Sequence, residues 1–316
     1  MILIVGGAGQ GKLDYVLHKT GLELEDVAYT PEEAKLRPVF YGVERWTQLD
    51  EEELLSANPN AILICQEVGC GVVPVEPEQR AWREAAGRLS CRLAARAVRV
   101  ERVFCGLPMA LKAPPRREME LLLVRHGTTW GNLEKRFIGT LDVDLAPQGE
   151  ELARRVGPTL PAVEHIYRSP LKRCLQTARL LWPGVSDTVV QGLRETDFGP
   201  FEGKNHEELK DDPLYRKWLE NPDFSQMPVG ESAGAVMERV SAALAYVAEN
   251  AAWRGFSRVA VVSHGGALMG LLSGHGRPER PYYDWMCPNC GGFRARLDPD
   301  TLELEILEAL PGERTL

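Results

Sequence analysis

The chain has 316 residues, of which 44% are hydrophobic and 26% charged, a composition that suits a globular protein with full cores and, at this length, two domains. Its net charge of −8 excludes a broad basic surface for nucleic acid or anionic membrane, while leaving room for a local basic pocket around a small phosphorylated substrate. No apolar run approaches the roughly 20 residues of a membrane span, and the N-terminus lacks the basic start and small-residue cleavage site of a signal peptide. Seven scattered cysteines, an odd count, fit a reducing cytoplasm in which thiols act as small buried hydrophobes. Cys287 and Cys290 have C-x-x-C spacing, without the second pair that a four-ligand zinc site needs.

In chain order, Ile2–Val5 reads as a strand that runs into a glycine-rich loop and a helix over Lys12–Lys19. The spacing of Gly6, Gly11 and Lys12 is that of a phosphate-cradling loop, but Leu13 stands where a Ser or Thr hydroxyl would hold Mg²⁺. The stretch Glu23–Trp46 is weakly patterned. Ala61–Cys65 is a second strand, Pro77–Ala97 carries apolar residues at helical spacing, and Val98–Cys105 is extended again. Such alternation predicts a parallel sheet flanked by helices. The prolines of Ala113-Pro114-Pro115-Arg116-Arg117 mark a linker, with the boundary near residue 116.

The same grammar then repeats. Glu120–Val124 is a strand, Ala146–Leu160 a helix, His165-Ile166-Tyr167 a short strand and Lys172–Leu181 a helix. Lys204–Asp212 is charged and expected to be solvated. Gly230–Ala252 holds a long amphipathic helix, Val259–Ser263 a strand and Gly266–Leu272 a helix.

Chemistry-bearing residues sit where these strands end. LLLVRHG delivers Arg125 and His126, SPLKRC supplies Arg173, LRETDFG supplies Glu195 in a loop, and VAVVSHGG supplies His264. Carboxyl edges of parallel strands are where open α/β sheets bind ligands. Two guanidinium forks can bind a phosphate dianion, and one imidazole can attack phosphorus in line. The second imidazole can stabilise the equatorial oxygens, and a carboxyl group can protonate the leaving oxygen. The arginines and the second histidine supply the positive charge, so no metal is required.

The segments R-H-G-T-T-x-x-N, S-P-L-x-R-x-x-Q-T-A, L-R-E-x-x-F-G-x-x-E-G, G-E-S and V-S-H-G-G occur in the order of the histidine phosphatase (phosphoglycerate-mutase-like) superfamily. The resemblance covers roughly Glu120–Leu310. It implies a three-layer α/β/α domain over 116–316, with His126 as the phosphorylated residue. Arg125, Arg173 and His264 would form the phosphate pocket, and Glu195 would be the proton donor. Asn132 would also contact the phosphate, and Glu231 and Ser232 would lie near the substrate mouth. The mutases of the superfamily carry a longer insertion between the pocket Arg and the acid Glu. Here 21 residues separate Arg173 from Glu195, so water should reach the intermediate and hydrolysis is expected.

The first half also resembles a family. ILIVGGAGQGK, QEVGCGVVPVEPEQRAWREAAGRLSCRLA and VFCGLPMALK follow the adenosylcobinamide kinase/adenosylcobinamide-phosphate guanylyltransferase pattern. The resemblance implies a small P-loop-like parallel-sheet domain over 1–115. Glu67 would stand where a metal-side acid follows the loop, and Gly6, Gly11 and Lys12 would cradle the phosphate of GTP or ATP. That family has a longer middle with a guanylyl-carrying histidine, whereas Glu23–Trp46 contains Arg37-Pro38 and Trp46 but no histidine. Guanylyl transfer is therefore expected to be lost. The pairing of the two halves points to alpha-ribazole phosphate or adenosylcobalamin phosphate as substrate. A broad-specificity sugar- or nucleotide-phosphate phosphatase with a nucleotide-binding regulatory half, and a bifunctional adenosylcobinamide kinase–phosphatase, stand as alternatives. The expected partner is a small phosphorylated molecule, not nucleic acid or membrane. A homo-oligomer stays open.

Overall fold

The structure, a computed structural model, describes residues 1–48, 50–115, 117–220 and 230–313. The chain divides into two compact units, Met1–Arg116 with Trp253–Gly255, and Arg117–Ala252 with Phe256–Leu316. Arg116, at the expected boundary, lies outside the described residues.

In the first unit the strands are β1 (Ile2–Gly6), β2 (Val27–Ala28), β3 (Val39–Tyr41), β4 (Ile62–Gln66), β5 (Arg99–Phe104) and β6 (Leu107–Lys112). They order as β2-β3-β4-β1-β5-β6, parallel except for β6, which runs antiparallel to β5. The helices are α1 (Lys12–Thr20), α2 (Glu51–Ala57) and α3 (Pro77–Arg96). Side chains alternate across the pleat. Ile2, Ile4, Ile62 and Ile64 meet Val16 of α1 on one face, and Leu3 and Leu63 meet Leu89 and Leu93 of α3 on the other. Each such burial contributes about 1.5–3 kcal/mol. Glu23–Trp46 resolves into β2, β3 and three short 3-10 turns, elements too brief to show a period. The strand β6 was not predicted; all six of its residues are exposed, so it has no buried face for a pattern to mark.

The second unit adds β7 (Met119–Arg125), β8 (His165–Arg168), β9 (Asp187–Val189), β10 (Arg258–Ser263), β11 (Gly276–Arg277), β12 (Gly292–Leu297) and β13 (Leu304–Leu310). Their order is β11-β13-β12-β7-β10-β8-β9. The central run β7-β10-β8-β9 is parallel, and β12 pairs antiparallel with β7. The helices are α4 (Trp130–Leu133), α5 (Pro147–Val156), α6 (Lys172–Leu181), α7 (His206–Leu209), α8 (Pro213–Glu220), α9 (Ala233–Arg254) and α10 (Gly265–His275). Leu122, Val124, Ala260 and Val262 face α5 and α6, while Leu121, Leu123, Val259 and Val261 face α9 and α10. The result is the expected helix–sheet–helix sandwich.

Two local expectations change. The helix expected to reach Leu160 ends at Val156 and passes into a 3-10 turn over Gly157–Thr159, because Pro158 has no N–H to continue it. The charged stretch Lys204–Asp212 contains α7, closed by a reciprocal Asn205–Glu208 cap, and buries Leu209 beside Phe201 and Tyr215.

Candidate active site

The carboxyl ends of β7 and β10 lie side by side, with Arg125 registered on Ser263, so the next residues, His126 and His264, come together. Their ring centroids are 5.1 Å apart. The His126 N–H donates to Ser263 O, and the Gly127 N–H donates to Thr177 Oγ1 of α6 at 2.9 Å. His126 Nδ1 lies 2.7 Å from Gly127 O. A carbonyl can only accept, so Nδ1 carries the proton and Nε2 keeps its lone pair. A Cβ on Gly127 would lie 3.0 Å from Gly149 O, which leaves little room for any other residue beside the histidine.

His264 is held at both nitrogens. Arg173 Nε donates to its Nδ1 at 3.1 Å, so Nε2 carries the proton and donates to Ser169 Oγ at 2.7 Å. Arg173, in the first turn of α6, is fully buried. Its other nitrogens donate to Leu141 O at 2.7 Å and Gly139 O at 2.8 Å. Arg125 donates through one terminal nitrogen to Cys287 O at 3.0 Å, while its buried Nε has no partner. Glu195 rests on the start of α10. Its Oε1 accepts from Thr196 N and Ala267 N at 2.8 and 3.0 Å, and its Oε2 from Gly266 N at 3.0 Å. A Cβ on Gly266 would lie 2.7 Å from Oε1, so the glycine of V-S-H-G-G makes space for the acid.

Arg125, His126, Asn132 and Glu195 line one cavity of about 330 Å³. Arg173 and His264 are not in its wall; they stand behind His126, with their donors turned to protein acceptors. Asn132 Oδ1 accepts the Thr129 N–H at 3.0 Å and so caps α4. The far wall is apolar and aromatic: Phe137, Phe198, Trp218, Tyr282, Tyr283 and Met269. Sequence reasoning missed this wall: Phe198 stands in the motif that carries Glu195 but was given no role, and the other five residues fall in no motif. It also missed Asn289, 1% exposed, whose Nδ2 donates to His126 O at 3.0 Å and to Asn132 Oδ1 at 3.3 Å. The signal lay inside Cys287-Pro-Asn-Cys290, read for its cysteines. Both thiols are buried, and burial pushes them up to about 11 and about 12. Among the described residues no group of three or more His, Cys, Asp or Glu side chains could hold a metal ion.

Glu231 and Ser232, expected near the substrate mouth, follow residues 221–229, which lie outside the described residues. The Glu231 carboxylate is taken by Arg194 and Arg239, and Ser232 Oγ accepts the Ala235 N–H at the start of α9. Neither lines the cavity.

Both catalytic-candidate imidazoles titrate well below the ordinary histidine range, through burial first and the Arg173 guanidinium next. They are neutral at pH 7. In the unfolded chain both take up protons near pH 6.5. Below that pH the unfolded state therefore binds more protons, and stability falls as pH falls toward the folded values. The slope is up to about 1.4 kcal/mol per pH unit for each ring. Urea unfolding at pH 7.5 and 5.5 should show a clear drop in midpoint; equal midpoints would contradict the burial of two neutral rings.

In the first unit, Gly11 opens α1 at φ 75°, and a Cβ on Gly6 would lie 2.4 Å from Val103 O. Lys12 Nζ folds back onto Gly6 O at 2.9 Å and Gly7 O at 2.6 Å. Burial lowers its pKa. Leu13 packs against the core around Ile2 and Ile4, so position 13 serves packing and the Mg²⁺ arm does not fit. Glu67, expected beside a metal, pairs with Arg102 at 3.1 Å.

The description of the family whose model matches residues 121–309 is "Histidine phosphatase superfamily (branch 1)". A second model, "Cobinamide kinase / cobinamide phosphate guanyltransferase", matches residues 43–111, which leaves the glycine-rich loop outside the match. The "Probable phosphoglycerate mutase GpmB" of Klebsiella pneumoniae (strain 342) is 37% identical over 162 residues, 49% of this chain and 74% of that protein. "Phosphoglycerate mutase-like protein 4" of Arabidopsis thaliana is 31% identical over 161 residues, 48% of this chain and 69% of that protein. Among solved structures, the alpha-ribazole phosphatase from Shigella flexneri superposes with a TM-score of 0.52 at 25% identity. That match covers 61% of this chain and 96% of the Shigella chain.

Proposed function

Because the chain belongs to the histidine phosphatase superfamily (branch 1), we propose that it hydrolyses a phosphomonoester through a phosphohistidine at His126, with alpha-ribazole phosphate or adenosylcobalamin phosphate as substrate. One observation carries the mechanism: the Gly127 carbonyl holds the proton on His126 Nδ1 and leaves Nε2 with a lone pair, on a ring in the cavity wall. Nε2 attacks phosphorus, the P–O bond to the leaving group breaks, and the electron pair goes to the leaving oxygen. Glu195 gives that oxygen its proton; Oε2, with one N–H bond against two at Oε1, is the oxygen with room to carry it. Water then attacks the phosphohistidine, its proton returns to Glu195, and inorganic phosphate leaves. Arg125 faces the dianion from the cavity wall. Arg173 holds His264 behind the nucleophile and adds positive charge there.

The substrate reading is supported by the aromatic wall, which suits a flat apolar leaving group better than a small sugar acid. It is supported also by the Shigella alpha-ribazole phosphatase and by the cobinamide kinase-like segment. The glycine-rich loop of the first unit reads as a phosphate cradle for GTP or ATP without its magnesium arm. Steady-state phosphate release from alpha-ribazole phosphate and from simple sugar phosphates, with EDTA present, tests the proposal. The expected kcat/KM is about 100-fold higher for alpha-ribazole phosphate. Equal values would replace it with broad specificity, and loss of turnover in EDTA would overturn the metal-free mechanism.

A further inference from the structure

Gly230-Glu231-Ser232 precedes α9 and lies against the loop that carries Glu195. Gly230 has φ 74°, and a Cβ on it would lie 2.0 Å from Asp197 O. The Glu231 N–H donates to that same Asp197 O at 2.9 Å. The Glu231 carboxylate then receives two guanidinium forks. Arg194 donates to Oε1 at 3.0 Å and Oε2 at 3.1 Å, and Arg239 donates to Oε1 at 2.8 Å and Oε2 at 2.7 Å. Both arginines also grip the backbone of the acid's own segment. Arg239 reaches Gly192 O and Arg194 O, each at 2.8 Å, and Arg194 reaches Glu195 O at 3.3 Å. The Glu231 and Arg239 side chains are 11% and 14% exposed, so water screens this pair weakly. None of the three lines the catalytic cavity.

We propose that Glu231 is a positioning residue: with Arg194 and Arg239 it clamps residues 192–197 and so fixes the Glu195 carboxyl at the leaving oxygen. This rests on the reading of Glu195 as the proton donor. Three backbone N–H groups orient the carboxyl itself, but the Glu195 main chain must stay in register with α10 for the two from Gly266 and Ala267 to reach it. The clamp supplies that register through the backbone of residues 192, 194 and 195. Each guanidinium is a rigid planar fork that spans both carboxylate oxygens, a pairing that a neutral side chain at 231 does not reproduce.

The test uses two phosphomonoesters that differ in their need for an acid. p-Nitrophenyl phosphate releases a phenolate that leaves unprotonated, whereas 2-phenylethyl phosphate must release a protonated alcohol. Values of kcat/KM report the steps through departure of the alcohol. In Glu231→Gln the ratio of kcat/KM for the first substrate over the second should rise about tenfold, and in Glu195→Gln about 100-fold. The double variant should show no larger ratio than Glu195→Gln, because a clamp has no effect once its acid is gone. Arg194→Met removes one fork at a partly exposed side chain and should raise the ratio by a smaller factor, should Glu231→Gln fail to fold. An unchanged ratio in both Glu231→Gln and Arg194→Met, whether the rates fall together or not, overturns the clamp and leaves Glu195 as the acid. An unchanged ratio in Glu195→Gln overturns the acid reading, and the clamp with it.

Discussion

His126→Ala is expected to lower kcat by about 10⁴-fold or more on every phosphomonoester the protein hydrolyses. The size of the effect follows from what the imidazole does. In the proposed mechanism it forms a covalent bond to phosphorus, and no neighbouring side chain can take over that bond. His264, the other imidazole 5.1 Å away, has its Nδ1 lone pair on Arg173 and its Nε2 proton on Ser169. Cys174 Sγ, 3.5 Å from His264 Nε2, is a thiol that burial pushes up to about 12, so it supplies no thiolate near neutral pH. Reactions with labelled substrate, stopped with detergent at alkaline pH where a phosphoramidate survives, should show phosphoprotein in the wild type and none in the variant. Because His126 is neutral and buried, the truncation leaves a small cavity rather than an unpaired charge, and the fold should survive. Retention of activity within tenfold, in protein with the wild-type circular dichroism spectrum, would exclude His126 as the nucleophile.

The residues of this site were legible because they stand in short contiguous segments at strand ends. Arg125, His126 and Asn132 come from one such segment and Glu195 from another, and the four meet in one cavity. What the segments do not carry is the destination of each donor. Glu231 reads as a substrate contact because it is an acid in a motif; its actual partners are Arg194, in the acid's own motif, and Arg239, in none. Likewise Arg173 has the residue type of a phosphate ligand, yet the carbonyls that take its N–H groups belong to residues 139 and 141, whose side chains say nothing of this. Asn289 supports the His126 main chain from more than 160 residues away, beyond any local pattern. The fold shows the same division. Strands such as β4 and β7, buried on both faces, announce themselves as apolar runs. The strands β9, β11 and β12 are short or carry charges between their buried positions, and only pairing with neighbours reveals them. Leu13 shows that one residue can be decisive in the other direction: it stands where a magnesium-holding hydroxyl would be, and it packs against the core around Ile2 and Ile4.

Arg173→Met should be the most damaging change that leaves the nucleophile in place, lowering kcat/KM by about 10³-fold. The guanidinium does two things at once. Its positive charge adds to burial, the larger cause, in keeping the His126 imidazole neutral, and in the proposed mechanism it stabilises negative charge arriving on the phosphoryl group. Its three N–H directions also tie His264 Nδ1 to the carbonyls of residues 139 and 141, so the loop after Ile138 and the second histidine hold a common position. Methionine fills part of the same volume but leaves these acceptors without donors, each at a cost of about 1–3 kcal/mol. The stability loss should therefore be about 3 kcal/mol or more. Arg173→Lys separates the two contributions. An ammonium keeps the charge but is a single point, unable to reach an imidazole nitrogen and two carbonyls along three fixed directions. It should recover part of the stability and still lose about 10²-fold in kcat/KM. Urea unfolding beside p-nitrophenyl phosphate kinetics measures both. If Arg173→Lys matches the wild type in rate, charge alone suffices and the fork geometry has no catalytic part. If Arg173→Met loses stability but keeps its rate, the guanidinium serves the fold, and Arg125 is left as the cation that meets the phosphate.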